Sequence, residues 1–178
     1  MRLKTLNSLV SAFLALVIFS LSQTVYAEPL QHMPKWELKT ETGDTIKSDD
    51  LLGKPLILHF WATWCPYCKK LLPGLQRLHT LYQDQGLQTY AISFNEDDDA
   101  HPQAVLSSRG ITFSTLVNGD YVARKLFKID GTPTTIFINA DGSVLAITRS
   151  SNPKDPYLEK AVKALLKNAN IGQQDSVK

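Results

Sequence analysis

Two cysteines are the residues with the clearest chemical potential. Cys65 and Cys68 are separated by Pro66 and Tyr67, and the chain contains no other cysteine. A Cys-x-x-Cys pair that follows a strand and begins a helix is typical of redox-active dithiols, because the helix N-terminus stabilises a thiolate on the first cysteine. The second thiol can then attack a mixed disulfide formed at the first. We therefore interpret Cys65 as the nucleophile and Cys68 as the resolving cysteine.

The elements around the pair supply the positions that this chemistry needs. Leu56–Trp61 is a short apolar run preceded by Pro55, which predicts a buried strand. Residues 65–82 predict a helix, and Pro66 is tolerated in its first turn because that position needs no hydrogen bond from its nitrogen. Cys65 is therefore expected at a helix N-terminus.

A metal site is the alternative interpretation of two close cysteines. Zinc needs further ligands, and His32, His59, His79 and His101 show no paired spacing that would supply them. The two thiolates and a histidine could instead hold copper(I), which keeps a metallochaperone as an alternative function. We expect neither a zinc site nor a cofactor.

The stretch from Lys54 to Pro73, KPLILHFWATWCPYCKKLLP, resembles the active-site segment of thioredoxin-fold proteins. More specifically, it is similar to the TlpA-like, ResA and CcmG type of exported thiol-disulfide oxidoreductases. The resemblance covers residues 34–168 and implies an α/β thioredoxin fold, with a central mixed β-sheet flanked by helices. Trp36–Thr40 and Asp44–Ile46 flank a turn and predict the N-terminal β-hairpin extension of this family.

The resemblance also implies a docking surface for protein substrates with cysteine pairs. Residues 131–138, GTPTTIFI, resemble the family loop whose cis-proline faces the cysteines. A cis bond at Pro133 would leave the Thr132 backbone free to pair with an extended substrate segment. Trp64, Pro66 and Tyr67 would line the same surface, although simple packing beside the cysteines explains Trp64 equally well.

Two positions depart from the family pattern, and both concern protons. Thioredoxins carry a buried acid where this chain has His59, and TlpA-like reductants often carry a glutamate where it has Leu71. A neutral His59 could accept the proton of Cys68, whereas a protonated one would stabilise a thiolate. We include His59 among the candidate catalytic residues, with a histidine that only packs as the alternative.

The rest of the chain alternates strand and helix signals. The acidic run Asn95–Asp99 lacks the glycine and glutamate of a calcium loop and suits the start of a helix. The other predicted elements are strands at 87–94, 111–117, 134–139 and 143–148, and helices at 100–108, 120–128 and around 158–166.

Residues 1–27 predict an export signal. Arg2 and Lys4 precede an uncharged apolar run from Leu9 to Leu21, which is shorter than the ~20 residues of a membrane-spanning helix. We predict cleavage after Ala27, with an uncleaved anchor as the alternative. Export places a bacterial chain in the periplasm, tethered to the inner membrane if the signal is retained.

The charge of the chain gives no indication of a nucleic acid partner. The formal net charge is +2, and Arg2 and Lys4 of the export signal account for it. No basic stripe is visible. We expect a monomer in which residues 34–168 form one domain and residues 169–178 a flexible tail.

The predicted function is the reduction of substrate disulfides through a mixed disulfide, with a membrane-bound electron donor restoring the dithiol. A strongly stabilised Cys65 thiolate would instead make a thiol oxidase of the DsbA type, and Cys-Pro-x-Cys is similar to such oxidases. The hairpin and the FWATWC sequence resemble reductants that serve cytochrome c maturation or disulfide repair. We therefore choose the reductant.

Overall fold

The computed structural model of the chain describes residues 30–175. The predicted export signal at residues 1–27 lies outside the described residues. Within the described range, none of the helices is both long and apolar enough to cross a membrane.

A mixed sheet of seven strands forms the centre of the fold. In chain order the strands are β1 (Glu37–Thr40), β2 (Thr45–Lys47), β3 (Leu56–Trp61), β4 (Gln88–Ser93), β5 (Ser114–Val117), β6 (Thr134–Ile138) and β7 (Val144–Thr148). Across the sheet their order is β2-β1-β5-β4-β3-β6-β7. Strands β3, β4 and β5 are parallel, whereas β6, β7 and the β1–β2 hairpin pair antiparallel. The predicted central mixed sheet and N-terminal hairpin are confirmed.

Helices connect and cover the strands. In the described range they are α1 (Pro66–Tyr82), α2 (Pro102–Ser107) and α3 (Pro156–Asp175), with short turns of 3-10 type at Ser48–Leu51 and Gln83–Gln85 and of π type at Val122–Leu126. Helix α1 agrees with the prediction for residues 65–82. Helix α3 continues through residues 169–175, which the sequence assigned to a tail. The flexibility of residues 169–178 stays a prediction.

Helices α1 and α3 cover one face of the sheet. Their apolar residues recur three and four positions apart, so each helix presents one continuous stripe to the sheet. The buried side chains of this core include Ile57 and Trp61 from β3, Leu71, Leu72, Leu75 and Leu78 from α1, and Leu158, Ala161, Val162 and Leu165 from α3. Both cysteines belong to the same cluster.

A second core lies against the opposite face of the sheet. Leu56, Leu58 and Phe60 of β3 face this side, where Val122–Ile129 and the Ser48–Leu51 turn cover them. Strand β3 is therefore buried on both faces along its whole length. Burial on both faces explains its continuous apolar sequence, which interrupts the usual alternation.

The parallel pairing of β3 and β4 determines which residues lie together at the carboxyl ends of these strands. Helix α1 begins just after the carboxyl end of β3 and leads back to the start of β4. The carboxyl ends of parallel neighbours lie at the same edge of a sheet. Residues 62–65 after β3 and residues 94–96 after β4 are therefore brought together.

Candidate active site

Cys65 occupies the N-cap of α1, and Cys68 lies one turn into the helix. The two residues form a disulfide, with their Cα atoms 5.3 Å apart. Exposed Pro66 takes the first helical position, and the backbone N–H of Cys68 donates to Cys65 Sγ at 3.1 Å. A helix-start N–H directed at sulfur stabilises negative charge there, so the geometry favours a Cys65 thiolate once the disulfide is reduced.

Aromatic side chains stand at the surface beside the pair. Trp64 is 52% exposed and Tyr67 is 62% exposed, whereas Cys65 is only 2% exposed and Cys68 is fully buried. The Trp64 indole N–H donates to the Asn95 carbonyl at 2.7 Å, which holds the indole in place while much of it faces solvent. Exposed aromatic rings of fixed orientation suit contact with a protein partner.

The proline loop lies at the same edge of the sheet. The Thr132–Pro133 peptide bond is cis, as the family resemblance implies. Pro133 is buried and Thr132 is half-buried. The Thr134 hydroxyl donates to the Gly131 carbonyl at 2.8 Å and closes the turn around the proline. Because Thr134 is paired with Phe60 near the end of β3, this turn and the cysteine loop leave the sheet side by side.

His59 is fully buried in β3, on the sheet face that α1 covers. Its Nδ1 lies 2.9 Å from Thr135 Oγ1, and its Nε2 has no hydrogen-bond partner among the described residues. Burial lowers the pKa of His59 to about 3, and a hydrogen bond with the Thr134 backbone offsets only part of this effect. The imidazole is therefore neutral at neutral pH. A neutral imidazole can accept a proton, and it carries no positive charge while the two cysteines are joined in the disulfide.

Glu96 contacts the cysteine loop, although the sequence analysis did not single it out. Its two carboxylate oxygens accept the Thr63 backbone N–H at 2.9 and 3.0 Å, and one of them accepts the Thr63 hydroxyl at 2.6 Å. Burial raises the pKa of Glu96, the Thr63 hydrogen bonds oppose this rise, and the charges of Asp97 and Asp120 add to it. The position of Glu96 just after β4 is the signal that could have found it, since parallel neighbours end together.

Two further expectations from the sequence concern a metal site and the position of Leu71. Residues 30–175 contain no group of three or more His, Cys, Asp or Glu side chains that could hold a metal ion. Leu71, at the position where TlpA-like reductants often carry a glutamate, is fully buried in the core. Among the described residues, Glu96 is the carboxylate that is bonded to the loop before Cys65.

Comparisons with known proteins identify relatives of the chain. The model of the AhpC/TSA family matches residues 29–147. The thiol-disulfide oxidoreductase ResA of Bacillus subtilis is 30% identical over 114 residues, which cover 64% of this chain and 63% of ResA. The thioredoxin-like protein YneN of the same species is 30% identical over 121 residues, covering 64% of this chain and 67% of YneN. The chain spans about three fifths of the length of the first curated relatives it matches.

Solved structures agree on the fold. A thiol:disulfide interchange protein of the thioredoxin family from Chlorobium tepidum has a TM-score of 0.66 at 25% identity, over 80% of this chain and 99% of its own. A secreted disulfide oxidoreductase of Mycobacterium tuberculosis has a TM-score of 0.64 at 25% identity, over 73% and 96% of the two chains. StoA of Bacillus subtilis, at 22% identity and a TM-score of 0.60 over 73% and 97%, supports the fold alone. The predicted thioredoxin fold is confirmed.

Proposed function

The chain belongs to the AhpC/TSA family of thioredoxin-like proteins, and from this premise we propose that it is a thiol-disulfide oxidoreductase acting through Cys65 and Cys68. The observation that carries the proposal is the Cys-x-x-Cys pair at the N-terminus of α1, with the Cys68 N–H directed at Cys65 Sγ. The ResA relatives are named for the same activity, as thiol-disulfide oxidoreductases.

The proposed reaction passes through a mixed disulfide. In the reduced protein the Cys65 thiolate attacks one sulfur of a substrate disulfide, and the other substrate sulfur leaves as a thiolate. Cys68 then loses its proton and attacks Cys65 Sγ, which releases the first substrate sulfur. The substrate has gained two electrons, its two sulfurs take up the proton lost by Cys68 and one proton from solvent, and the protein is left with a Cys65–Cys68 disulfide.

We assign acceptance of the Cys68 proton to His59. The imidazole is neutral, its Nε2 is unpartnered among the described residues, and it shares the α1 side of the sheet with Cys68. Its pKa of about 3 belongs to a histidine in a core whose cysteines are oxidised and uncharged. A thiolate forming in the same core would favour the imidazolium, because an opposite charge nearby stabilises the charged form.

We propose that the protein works as a reductant. A dithiol is a strong oxidant when its reduced, thiolate form is strongly stabilised. Neutral His59 adds no positive charge to the core, and the Glu96 carboxylate beside Thr63 adds a negative one at the loop. A neutral imidazole gives the Cys65 thiolate no electrostatic stabilisation, and a nearby carboxylate destabilises it. A dithiol on a membrane-bound electron donor would return the protein to its reduced state.

Protein substrates with cysteine pairs fit the surface around Cys65. Trp64 and Tyr67 offer exposed aromatic area, and Pro66 lies between the cysteines. In the described part of the chain the Thr132 backbone makes no hydrogen bond that would block strand-like pairing with a substrate. These features support docking of an extended segment next to the cis-proline.

We place the protein outside the inner membrane, in the periplasm, as a monomer. The basic and apolar pattern of residues 1–27 supports export. Cytochrome c maturation or repair of wrong disulfides would be the task of a reductant in that compartment. Fractionation of cells that express the full chain, with N-terminal sequencing of the product, tests export and cleavage after Ala27.

The reduction potential tests the function and its direction together. Purified protein is equilibrated with dithiothreitol and glutathione series, and thiol alkylation reports the fraction of dithiol. Among proteins of this fold, a reductant has a reduction potential of about −270 mV and a strong oxidant one of about −120 mV. We expect the reduction potential of this protein to lie nearer to that of the reductant. A value near the latter would make the protein a disulfide-forming oxidase. Stoichiometric copper(I) binding without disulfide exchange would make it a metallochaperone.

A substrate trap tests the roles of the two cysteines. The Cys68→Ser variant retains the nucleophile and lacks the resolving thiol, so we expect it, once reduced, to accumulate a mixed disulfide with model substrates that contain a disulfide. The Cys65→Ser variant is the matched control and is expected to form none. Equal trapping by both variants would contradict the assignment of Cys65 as the nucleophile and Cys68 as the resolving cysteine.

A further inference from the structure

Asn95 and Glu96, which follow β4, form hydrogen bonds with Thr63 and Trp64, the two residues that precede Cys65. Glu96 binds the backbone N–H and the hydroxyl of Thr63, and the Asn95 carbonyl accepts the Trp64 indole N–H. We call Asn95–Glu96 the loop clasp. The contacts link residues that are more than 30 positions apart in the chain, and they end one residue before the nucleophile.

The loop clasp is itself held in place. Asn95 adopts a left-handed backbone conformation with φ of 56°, which asparagine accepts more readily than most residues. Its N–H donates to Asp120 Oδ1 at 3.2 Å, and its side-chain oxygen accepts Arg124 at 2.9 Å. Asp120 and Arg124 therefore hold the clasp through hydrogen bonds to Asn95.

The Thr63 N–H needs the carboxylate because of the turn it belongs to. Cys65 N–H donates to the Ala62 carbonyl at 3.1 Å, so residues 62–65 form a tight turn between β3 and α1. No backbone oxygen bonds the Thr63 N–H in this turn; Glu96 does so instead. Hydrogen bonds to an ionised carboxylate are stronger than those between neutral groups. Glu96 thereby fixes the turn that presents Cys65.

We propose that Glu96 is a positioning residue for thiol-disulfide exchange: by binding Thr63 it sets the turn that presents Cys65, and its negative charge disfavours the Cys65 thiolate. The inference rests on the proposed function and adds a residue to it. Its two parts are separable. Glu96→Gln removes the charge and keeps the shape of the side chain, whereas Thr63→Val removes the hydroxyl donor and leaves the charge.

The test measures the pH at which the Cys65 thiolate forms and the equilibrium of the dithiol with glutathione. Removal of a nearby negative charge stabilises a thiolate. For Glu96→Gln we expect faster alkylation of Cys65 at low pH, and a shift of the equilibrium constant toward the dithiol by about three- to tenfold. Thr63→Val should leave that constant within about twofold of the native value and slow exchange with a model disulfide.

Asp98→Asn is the matched control. Asp98 is exposed, lies two residues from Glu96 and makes no hydrogen bond or ion pair in the described residues. We expect this variant to behave like the native protein in both measurements. If Glu96→Gln matches Asp98→Asn in alkylation, equilibrium and exchange rate, Glu96 is not a positioning residue.

Folding and function are controlled separately. Far- and near-UV circular dichroism establishes that each variant is folded, and Thr63→Val carries the positional part of the test if Glu96→Gln is not. If the native protein exchanges no disulfide with glutathione or a model substrate, the proposed function fails. The pH of Cys65 alkylation still decides the role of Glu96 in that case, because alkylation needs no partner disulfide.

Discussion

His59 and Thr135 face each other across β3 and β6, with His59 Nδ1 2.9 Å from Thr135 Oγ1 and both side chains fully buried. Thr135 lies two residues after the cis-proline. The strand that carries the proline loop therefore orients an imidazole at the position where thioredoxins keep a buried acid. An imidazole in this place is neutral, so the core of the active site carries no fixed charge.

The first prediction concerns acid stability. His59 has a pKa of about 3 in the folded protein and an ordinary value of 6.5 when exposed, so the unfolded chain binds the proton first as the pH falls. The contribution of His59 to stability is complete above pH 6.5 and is lost progressively as the pH decreases toward 3, by about 1.4 kcal/mol per pH unit. Urea unfolding at pH 7 and pH 5 should show a loss of about 2 kcal/mol from this residue.

His59→Asn removes the titrating group and keeps a polar side chain opposite Thr135. We expect this variant to be less stable than the native protein at pH 7 and to lose much less stability between pH 7 and pH 5. His101→Asn, at an exposed position, serves as the control and should retain the native pH dependence. A native slope in His59→Asn would mean that His59 is not buried as a neutral group.

A second prediction concerns turnover. If His59 accepts the Cys68 proton, His59→Asn should slow the release of substrate from the mixed disulfide by about 10²-fold, the lower end of the usual range for general base catalysis. Formation of the mixed disulfide at Cys65 should change little. Stopped-flow measurement of both steps over a pH series separates them. A uniform reduction of the two rates, or an unchanged pH profile for the second, would remove His59 from proton transfer.

Local rules account for the parts of the fold that the sequence predicted well. Strand β3 has the predicted bounds, and helix α1 begins one residue after the predicted start at residue 65, because the apolar run, Pro66 and the cysteine spacing act within a few residues of each other. The hairpin β6–β7 also follows from a local signal, the turn ending at Gly142, where φ is +88°. The cis bond before Pro133 was reached through family resemblance, since composition alone favours trans.

The contacts of the acidic run could not be read from the sequence. Its residues suited a helix start, but α2 begins only at Pro102, and Glu96 turns back to bind Thr63. Such a contact depends on the register of two parallel strands, which sequence patterns specify weakly. The same limit applies to His59. Strand alternation puts it on the same face as Ile57 and Trp61, but the packing of α1 on that face and the bond of His59 to Thr135 follow only from the folded chain, the bond through the pairing of β3 with β6.

A third prediction concerns the buried hydrogen bond between Trp61, at the end of β3, and Thr115 of β5. The Trp61 indole N–H donates to Thr115 Oγ1 at 3.0 Å, and both side chains are fully buried. Thr115→Val removes the acceptor and leaves a buried donor unsatisfied, which costs about 1–3 kcal/mol. Thr115→Ser retains the hydroxyl and should lose less. Chemical unfolding followed by tryptophan fluorescence measures both, and equal losses would show that packing, not the hydrogen bond, is responsible.

The last prediction uses a glycine inside α1. Replacing glycine by alanine in a helix ordinarily stabilises it by up to about 1 kcal/mol. At Gly74, however, an added Cβ would overlap the backbone of Pro153, which lies just before α3 and cannot yield as a flexible side chain would. Overpacking of this kind costs about 1–3 kcal/mol, so we expect Gly74→Ala to destabilise the protein, against the helix preference.

Gly172→Ala is the matched control, because Gly172 is also helical and, outside its own helix backbone, its added Cβ would meet no atom of the described residues within 4 Å. We expect that variant to be neutral or stabilised by up to about 1 kcal/mol. Urea unfolding of the two variants compares one substitution in two surroundings. A stabilised Gly74→Ala would mean that α1 and the segment at Pro153 approach each other less closely than the structure shows.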